Sequence, residues 1–438
     1  MSKRFFPGIH LPEFKELTNK KGIEKSTLPD EVILPLSQHT GAVCEPLVKV
    51  GDKVKTGTCI AKSSVPVSSP IHASISGEIT AIKEVLHPVL GRGKGIVIKS
   101  DQIDCKELNM GNRENVANLS KDMIIEEIKK AGIVGLGGAG FPTHIKLSPK
   151  KKVKFYLLNG AECEPYLTCD HRLMLENPKE IVLGMQILLR ALEIDKGYIG
   201  IEQNKRDAIL QLKKAVSEIN DCRFKIEIIA LRVKYPQGAE KQLIKAIFGK
   251  EVPSGGLPYD LGVMVNNVAT AYAVYEAIYF NKPLYERVIT ISGSCVKDPK
   301  NLRVRIGTKF SHLIAQCGGI ICPAAKIIMG GPMMGIAQES LDVPVIKGTS
   351  GILLFNAREA KGYKDSPCVR CGRCLEHCPM QLMPNMIGSC VEYKKFNNLS
   401  QYSPLDCIEC GICAYVCGAK RPLVQLIRRA KQEVRKKK

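Results

Sequence analysis

The chain has no tryptophan and only 5% aromatic residues among its 438 positions. The stacking surface of a protein that binds single-stranded nucleic acid is therefore not evident. Long apolar runs are also missing. The best candidate, residues 261–280, carries Glu276, Asn266, Asn267 and three tyrosines, and reads as a buried helix with its lead-in. No membrane span is expected. Met1–Pro7 has a basic pair but no apolar stretch behind it, so no secretory signal is expected either. Low-complexity tracts are absent.

What is present bounds the class. Hydrophobic content of 45% and charged content of 24% are those of a soluble globular protein, and the length calls for two to four domains. Eighteen cysteines without a signal peptide point to a reducing compartment and to metal ligation rather than disulfides. The formal charge is +21, with Arg428, Arg429, Lys431, Arg435, Lys436, Lys437 and Lys438 crowded at the end. That tail is open to three readings: a solvated segment, attraction to an anionic membrane face or acidic partner, or nucleic acid.

Along the chain the pattern changes several times. Residues 1–115 form a β-rich module in which Val43, Leu47, Val48 and Val50 precede the turn signals Gly51-Asp52 and Gly57. VKVGDKVKTGTCIA (48–61) and SPIHASISGEITAI (69–82) are similar to the two halves of a lipoyl-type barrel. No Met-Lys-Met tip accompanies them, so the barrel is read as structural. Residues 116–285 alternate helices and strands: Ser120 caps a helix carrying Ile124, Ile128 and Ala131 on one face, and Val153–Leu158 is a strand. Ile209–Ile219 is a helix and Phe224–Ala230 a strand, giving an α/β domain. Short strands and turns fill 286–355, a cysteine domain occupies 356–425, and 426–438 is the basic tail.

Two cysteine runs carry the strongest chemical signal. Cys368-x-x-Cys371-x-x-Cys374-x-x-x-Cys378-Pro379 is followed by Cys407-x-x-Cys410-x-x-Cys413-x-x-x-Cys417. Each offers three thiolates from one loop, and the fourth cysteine reaches across to the other site. The expected sets are Cys368, Cys371, Cys374 and Cys417 for one [4Fe–4S] cluster, and Cys378, Cys407, Cys410 and Cys413 for the second. Zinc ribbons use C-x-x-C pairs but do not need the third and fourth cysteines at these steps. Gly372 and Gly411 supply permissive backbone, and Gly418 stands where a bacterial ferredoxin usually has proline.

GLGGAGFPTHIK (135–146) contains a G-x-G-x-x-G, but an amphipathic helix precedes it and Pro142-Thr143 follows. A dinucleotide fingerprint needs a strand before and a helix after. The alternatives are a loop of backbone amides for a phosphate or flavin, and a plain turn. LNGAECEP (158–165), YPQGAEKQLI (235–244) and MVNNVAT (264–270) follow in order. Singly each also fits a capped helix or a solvated loop.

Together these segments resemble the flavin-binding segments of the 51-kDa NADH-oxidising subunit family of respiratory complex I. With FFPGIHLPEFK (5–15), the barrel, the 286–355 module and the doubled ferredoxin motif, the whole order is similar to the C subunit family of the Rnf ion-translocating electron-transport complex. The resemblance implies a multidomain α/β and β fold: a lipoyl-like barrel, an α/β flavin/NADH domain, a β-grasp-like module and a helical two-cluster ferredoxin domain. It implies that Gly135, Gly137 and Lys146 contact FMN, that Asn159 and Glu162 line the isoalloxazine side, and that Asn266, Asn267 and Thr270 meet the ribityl phosphate. Glu164 and Glu240 would face NAD(H). Leu136 and Ala161 depart from the Arg and Asp of those relatives, which leaves more of the phosphate contact to Lys146, backbone amides and helix N-termini.

The implied activity is ferredoxin:NAD⁺ oxidoreduction on the cytoplasmic side of the cell membrane. The chain would be a peripheral subunit held by the membrane subunits of the complex, with ferredoxin met through a partner and nucleic acid not involved. Hydride transfer needs no general base, so eight histidines are no objection. Competing readings are a soluble flavin and iron–sulfur cobalamin reductase, a relay and scaffold subunit with a vestigial flavin fold, and an iron–sulfur protein that binds nucleic acid.

Overall fold

Alternation builds the first module. Val32 and Leu34 are buried in Glu31–Pro35, which runs antiparallel to Gly91–Ser100, itself paired with Gly77–His87. A second sheet of Glu45–Pro46, Cys59–Lys62 and Ile71–His72 lies with it, and Ile60, Ile79, Ile96 and Ile98 fill the barrel. The computed structural model describes residues 7–107, 110–114, 116–219, 221–360, 362 and 366–436. Phe5 and Phe6 of the N-terminal motif, and Lys437 and Lys438 of the tail, lie outside the described residues.

The second module is an α/β layer. Its sheet is parallel throughout, ordered Lys225–Leu231, Lys196–Glu202, Phe155–Asn159, Val263–Asn267. Ser120 Oγ accepts from the Met123 N–H and starts the helix Lys121–Lys130, as its sequence suggests. The apolar stretch 261–280 resolves into the strand Val263–Asn267 and the helix Val268–Phe280. That helix buries Val268, Ala271, Val274 and Ile278 beside Pro178–Leu192, and each such Val or Ile contributes about 1.5–3 kcal/mol. Burial within the protein explains its hydropathy. No helix among the described residues is long and apolar enough to cross a membrane.

In chain order the four strands lie third, second, first, fourth, so the winding reverses between Phe155–Asn159 and Val263–Asn267. Open parallel sheets bind ligands at the carboxyl ends of the strands flanking such a reversal.

The third module is a six-stranded sheet containing Glu286–Ser292, Lys300–Arg305, Lys326–Met329 and Gly351–Phe355. Its edge strand, Ile23–Lys25, comes from the N-terminus and pairs parallel with Lys300–Arg305. The barrel module therefore does not keep all of residues 1–115 to itself.

The cysteine domain is helical, and here the expected tail needs correction. Leu423–Lys436 is one helix, so a boundary at 426 cuts through it. Leu423, Ile427 and Ala430 form a buried stripe against the helix Pro384–Glu392. Arg428 and Lys431 pair with Glu409 at 2.7 and 2.6 Å, and Lys431 also donates to the Cys407 carbonyl. The charges clothe a helix that closes the cysteine domain. Ile427→Ala should then cost about 2–5 kcal/mol in denaturant unfolding of that domain, where a free tail would register nothing.

Candidate functional site

At the reversal point, Asn159 and Asn267 are register partners at their strands' carboxyl ends. The glycine segment folds over them as a closed turn: Gly135 N–H donates to Phe141 O at 2.9 Å, and Thr143 N–H to Ile133 O at 3.0 Å. Helix Lys121–Lys130 precedes the turn and the short helix Thr143–Lys146 follows, so it is not a dinucleotide fingerprint. A Cβ on Gly137 would sit 2.6 Å from Asn267 Nδ2, which leaves only glycine room there.

The expected flavin residues do converge, and most are tied to one another. Thr270 Oγ1 accepts from the Leu136 N–H at 3.0 Å. Asn267 caps helix Val268–Phe280 through the Ala269 N–H and donates to Asp170 at 2.6 Å. Asn159 donates to the Gly238 carbonyl at 2.7 Å, which pins the 235–240 loop beside it. Glu162 accepts from the Asp170 and His171 N–H groups at the start of helix Cys169–Glu176. Lys146 and Glu240, 94 residues apart, form an ion pair at 3.2 Å. These contacts make a rigid cradle.

Unpartnered polar atoms mark what the cradle is short of. Asn266 shares the sheet face of Met264, opposite Asn267, and its buried Oδ1 has no partner among the described residues. Both amide atoms of Gln237, beside Gly238, are likewise buried and unpartnered among the described residues. Buried polar groups are normally satisfied. These open hydrogen-bonding atoms and the Lys146 cation beside Glu240 suit a phosphate-bearing ligand such as FMN. Leu136 and Ala161 are both buried; the Leu136 N–H anchors the turn, and Ala161 is held through its backbone by Asn159 and Lys205.

Asp170 is a site residue that the sequence did not single out. Its carboxylate, that of Glu162 and the Cys169 thiol lie within 4.8 Å of one another. Burial and then the Glu162 charge lift its pKa from the ordinary 3.8 to about 7, opposed by the Asn267 hydrogen bond and the charges of Arg287 and Lys15. Between those values the folded chain holds a proton that the unfolded chain has released, so stability falls as pH rises through that window. Asp170→Asn keeps the acceptor for Asn267 and removes the charge. Its thermal midpoint should exceed the parent's by more at pH 8 than at pH 5, in flavin-free protein.

Glu164 is held by protein donors. Its carboxylate accepts from Met333 N–H at 3.0 Å, Met334 N–H at 3.1 Å and Tyr235 O–H at 3.0 Å. Burial holds its carboxyl above the usual range, against those three donors. The reason is packing: the GGPMMG turn of the third module lies over the acidic loop. The Tyr235 hydroxyl also lies 2.8 Å from the Cys410 carbonyl, so its one proton is shared between the two oxygens. Flavin domain, third module and cysteine domain thus meet at one tyrosine, inside a segment where the sequence singles out only Gly238 and Glu240.

Cys378, Cys407, Cys410 and Cys413 line one cavity with Ile408, Ile412, Val424 and Ile427. Burial first, and then the neighbouring thiols, push Cys410 up to about 12. Cys407 and Cys413 are raised in the same way, each with Cys378 among its neighbours. Cys374 is raised by burial, with Cys368 and Cys417 as its thiol neighbours. Each fourth cysteine therefore faces the other run. Such thiols ionise readily only on a metal, and an all-sulfur donor set suits an iron–sulfur centre. Gly372 and Gly411 take φ of 76° and 80° at the turns, and a Cβ on Gly411 would lie 2.6 Å from Met333 O.

Barrel, flavin-type crevice and cysteine domain define a modular electron-transfer subunit, and comparison with known proteins makes it particular. Residues 128–276 match the model of the Nuo51 FMN-binding domain, 3–103 the RnfC barrel sandwich hybrid domain, and 288–337 the SLBB domain. The chain is 47% identical over 438 residues to the C subunit of the proton-translocating ferredoxin:NAD(+) oxidoreductase complex of Clostridium ljungdahlii, covering 99% of this chain and 95% of the relative. It is 45% identical over 432 residues to the Na(+)-translocating counterpart of Acetobacterium woodii, covering 98% and 97%. The C subunit of the ion-translocating oxidoreductase complex of Rhodobacter capsulatus is 40% identical over 434 residues, covering 97% of this chain and 82% of the relative. Among solved structures, an NAD+-reducing [NiFe]-hydrogenase in the H2-reduced state shares the fold with TM-score 0.54 at 20% identity, over 73% of this chain and 63% of that one. The chain belongs to the family of C subunits of Rnf ferredoxin:NAD⁺ oxidoreductase complexes. It is one subunit of a multisubunit translocating oxidoreductase.

Proposed function

We propose that this subunit binds FMN at the carboxyl ends of the strands that finish in Asn159 and Asn267, meets NAD(H) there, and holds two [4Fe–4S] clusters on its doubled cysteine runs. When bound, the flavin exchanges hydride with the nicotinamide and single electrons with the clusters. The observation that carries the reading is the contact between the two sites: Tyr235 reaches the Cys410 carbonyl at 2.8 Å, and Gln242 donates to Pro379 O at 3.1 Å. The residues proposed to hold the inner cluster are thereby fixed against the helix that begins at Glu240.

Each residue's work follows from its position. Gly135 and Gly137 let the turn lie flat on the strand ends. Lys146 supplies a cation for the phosphate, and Glu240 holds it in place and remains the acid available to the dinucleotide, while Glu164 positions the cysteine domain. Asn266 and Gln237 offer unused hydrogen-bonding atoms to the ligand. Cys378, Cys407, Cys410 and Cys413 hold the inner cluster. Cys368, Cys371, Cys374 and Cys417 hold the outer one, and the exposure of Cys371 suits exchange with a partner protein. Membrane attachment on the cytoplasmic face would come from the membrane-spanning subunits, and ferredoxin would be met through one of them.

The test is direct. Anaerobically reconstituted protein should release FMN on denaturation, and its flavin absorbance should bleach on NADH addition. Lys146→Ala should bind FMN about tenfold more weakly, the scale of one lost charge-assisted phosphate contact of ~1.4 kcal/mol. An unaltered affinity would remove Lys146 from the phosphate.

A further inference from the structure

The N-terminal motif FFPGIHLPEFK marks the family but has no task in the reading above. Its described part is a strap that runs from Tyr235 to the loop of residues 162–168. Ile9 exchanges backbone hydrogen bonds with Tyr235 at 3.0 and 2.8 Å. Phe14 stacks on Tyr166 with ring centroids 4.7 Å apart and planes at 15°. Tyr166 N–H donates to Glu13 O at 2.8 Å, and Thr18 meets Thr168 at 2.7 Å.

Between these contacts Lys15 dives inward. Only 5% exposed, it donates to the carbonyls of Glu162 and Glu164 at 2.9 Å each, and to that of Leu167. From the other side, buried Lys205 donates to the Ala161 carbonyl at 2.7 Å. Two ammonium groups from different parts of the chain thus grip four carbonyls of one loop. The loop needs that grip: Glu162 and Tyr166 have φ of 46° and 67°, left-handed values that a non-glycine residue keeps only when its surroundings over-determine it. Lysine has three donors, and here each has one acceptor.

We propose that Lys15 is a positioning residue of the flavin site. Its ammonium fixes the backbone of residues 161–167, so that the Glu162 side chain caps helix Cys169–Glu176 and the Glu164 side chain reaches Met333 and Tyr235. The barrel-side terminus, outside the segment that matches the FMN-binding domain, then completes the cradle. This proposal rests on the flavin reading.

The experiment uses the full chain with clusters reconstituted, FMN as the probe, and flavin-fluorescence quenching as the readout. Lys15→Met should weaken FMN by about tenfold or more, with iron content unchanged. Thr18→Val cuts a neighbouring strap contact and leaves the ammonium in place. It should lower the thermal midpoint but keep FMN affinity within about twofold of the parent. Lys15→Met within twofold of the parent overturns the proposal, as does a Thr18→Val loss equal to that of Lys15→Met. Should Lys15→Met not fold, Lys15→Arg keeps the charge but presents a planar head to three converging carbonyls. It should bind FMN about threefold to tenfold more weakly, and parent-like affinity overturns the proposal. A parent chain that binds no FMN overturns the flavin reading itself, and the Lys15 proposal with it.

Discussion

Cys378→Ala should cost the chain the cluster belonging to the other cysteine run. Iron is expected to drop from about eight to about four per chain, the content of one cubane. The surviving centre should be the one on Cys368, Cys371, Cys374 and Cys417, since Cys378 lines its cavity with Cys407, Cys410 and Cys413. The double variant Cys371→Ala, Cys374→Ala should also retain about four irons, but as the complementary cluster. Because Tyr235 and Gln242 abut the inner set, the second variant should still show NADH bleaching of the flavin while electron delivery to an external acceptor fails. EPR spectra of the two variants should therefore sum to the parent spectrum. Stoichiometric zinc with little iron after anaerobic purification would sink both assignments. A Cys378→Ala chain whose spectrum matches that of the double variant would sink the cross-ligation alone.

Gly137→Val is the second large effect. The Cβ position is 2.6 Å from Asn267 Nδ2 and 2.7 Å from its Cβ, closer than real contacts allow. Asn267 cannot yield easily: it caps helix Val268–Phe280, donates to Asp170 and is paired through its backbone with Asn159. The turn must lift instead. Overpacking of this kind costs about 1–3 kcal/mol, so FMN affinity should fall roughly 5- to 150-fold if the strain is relieved only in the flavin-free chain. Cluster content should stay unchanged, because the side-chain ties of Asn267 run to Asn159, Asp170 and Ala269 within the flavin domain. Equal FMN binding by Gly137→Val and the parent would show that the turn does not carry the flavin.

Both effects are partly legible in the sequence, for different reasons. The cysteine sets follow from local spacing, because ligands that share one loop must recur at short fixed intervals. The glycine turn is legible as a turn, and the absence of a preceding strand excludes the dinucleotide fingerprint. The buried stripe Leu423, Ile427 and Ala430 is also written at helical spacing, running from the cysteine domain into the basic tail. There the density of charge masks it, and the exposed charges ride on a helix whose other face is buried.

What the sequence could not decide is who meets whom across long separations. Glu164 stands among the segments shared with the flavin family, yet it takes its donors from Met333 and Met334, 169 and 170 residues away. Asp170 owes its raised pKa to burial and to a carboxylate eight positions back that the loop turns toward it, and Lys15 reaches carbonyls 147 to 152 residues on. Periodicity and spacing act within a few residues, so the sequence by itself determined the module order, the regular cysteine spacing and the turn-forming glycines. The partners of buried charges are chosen by packing between modules, where desolvation makes every unmet donor or acceptor expensive. Only the tertiary structure could therefore assign Glu164, Tyr235 and Lys15 their places.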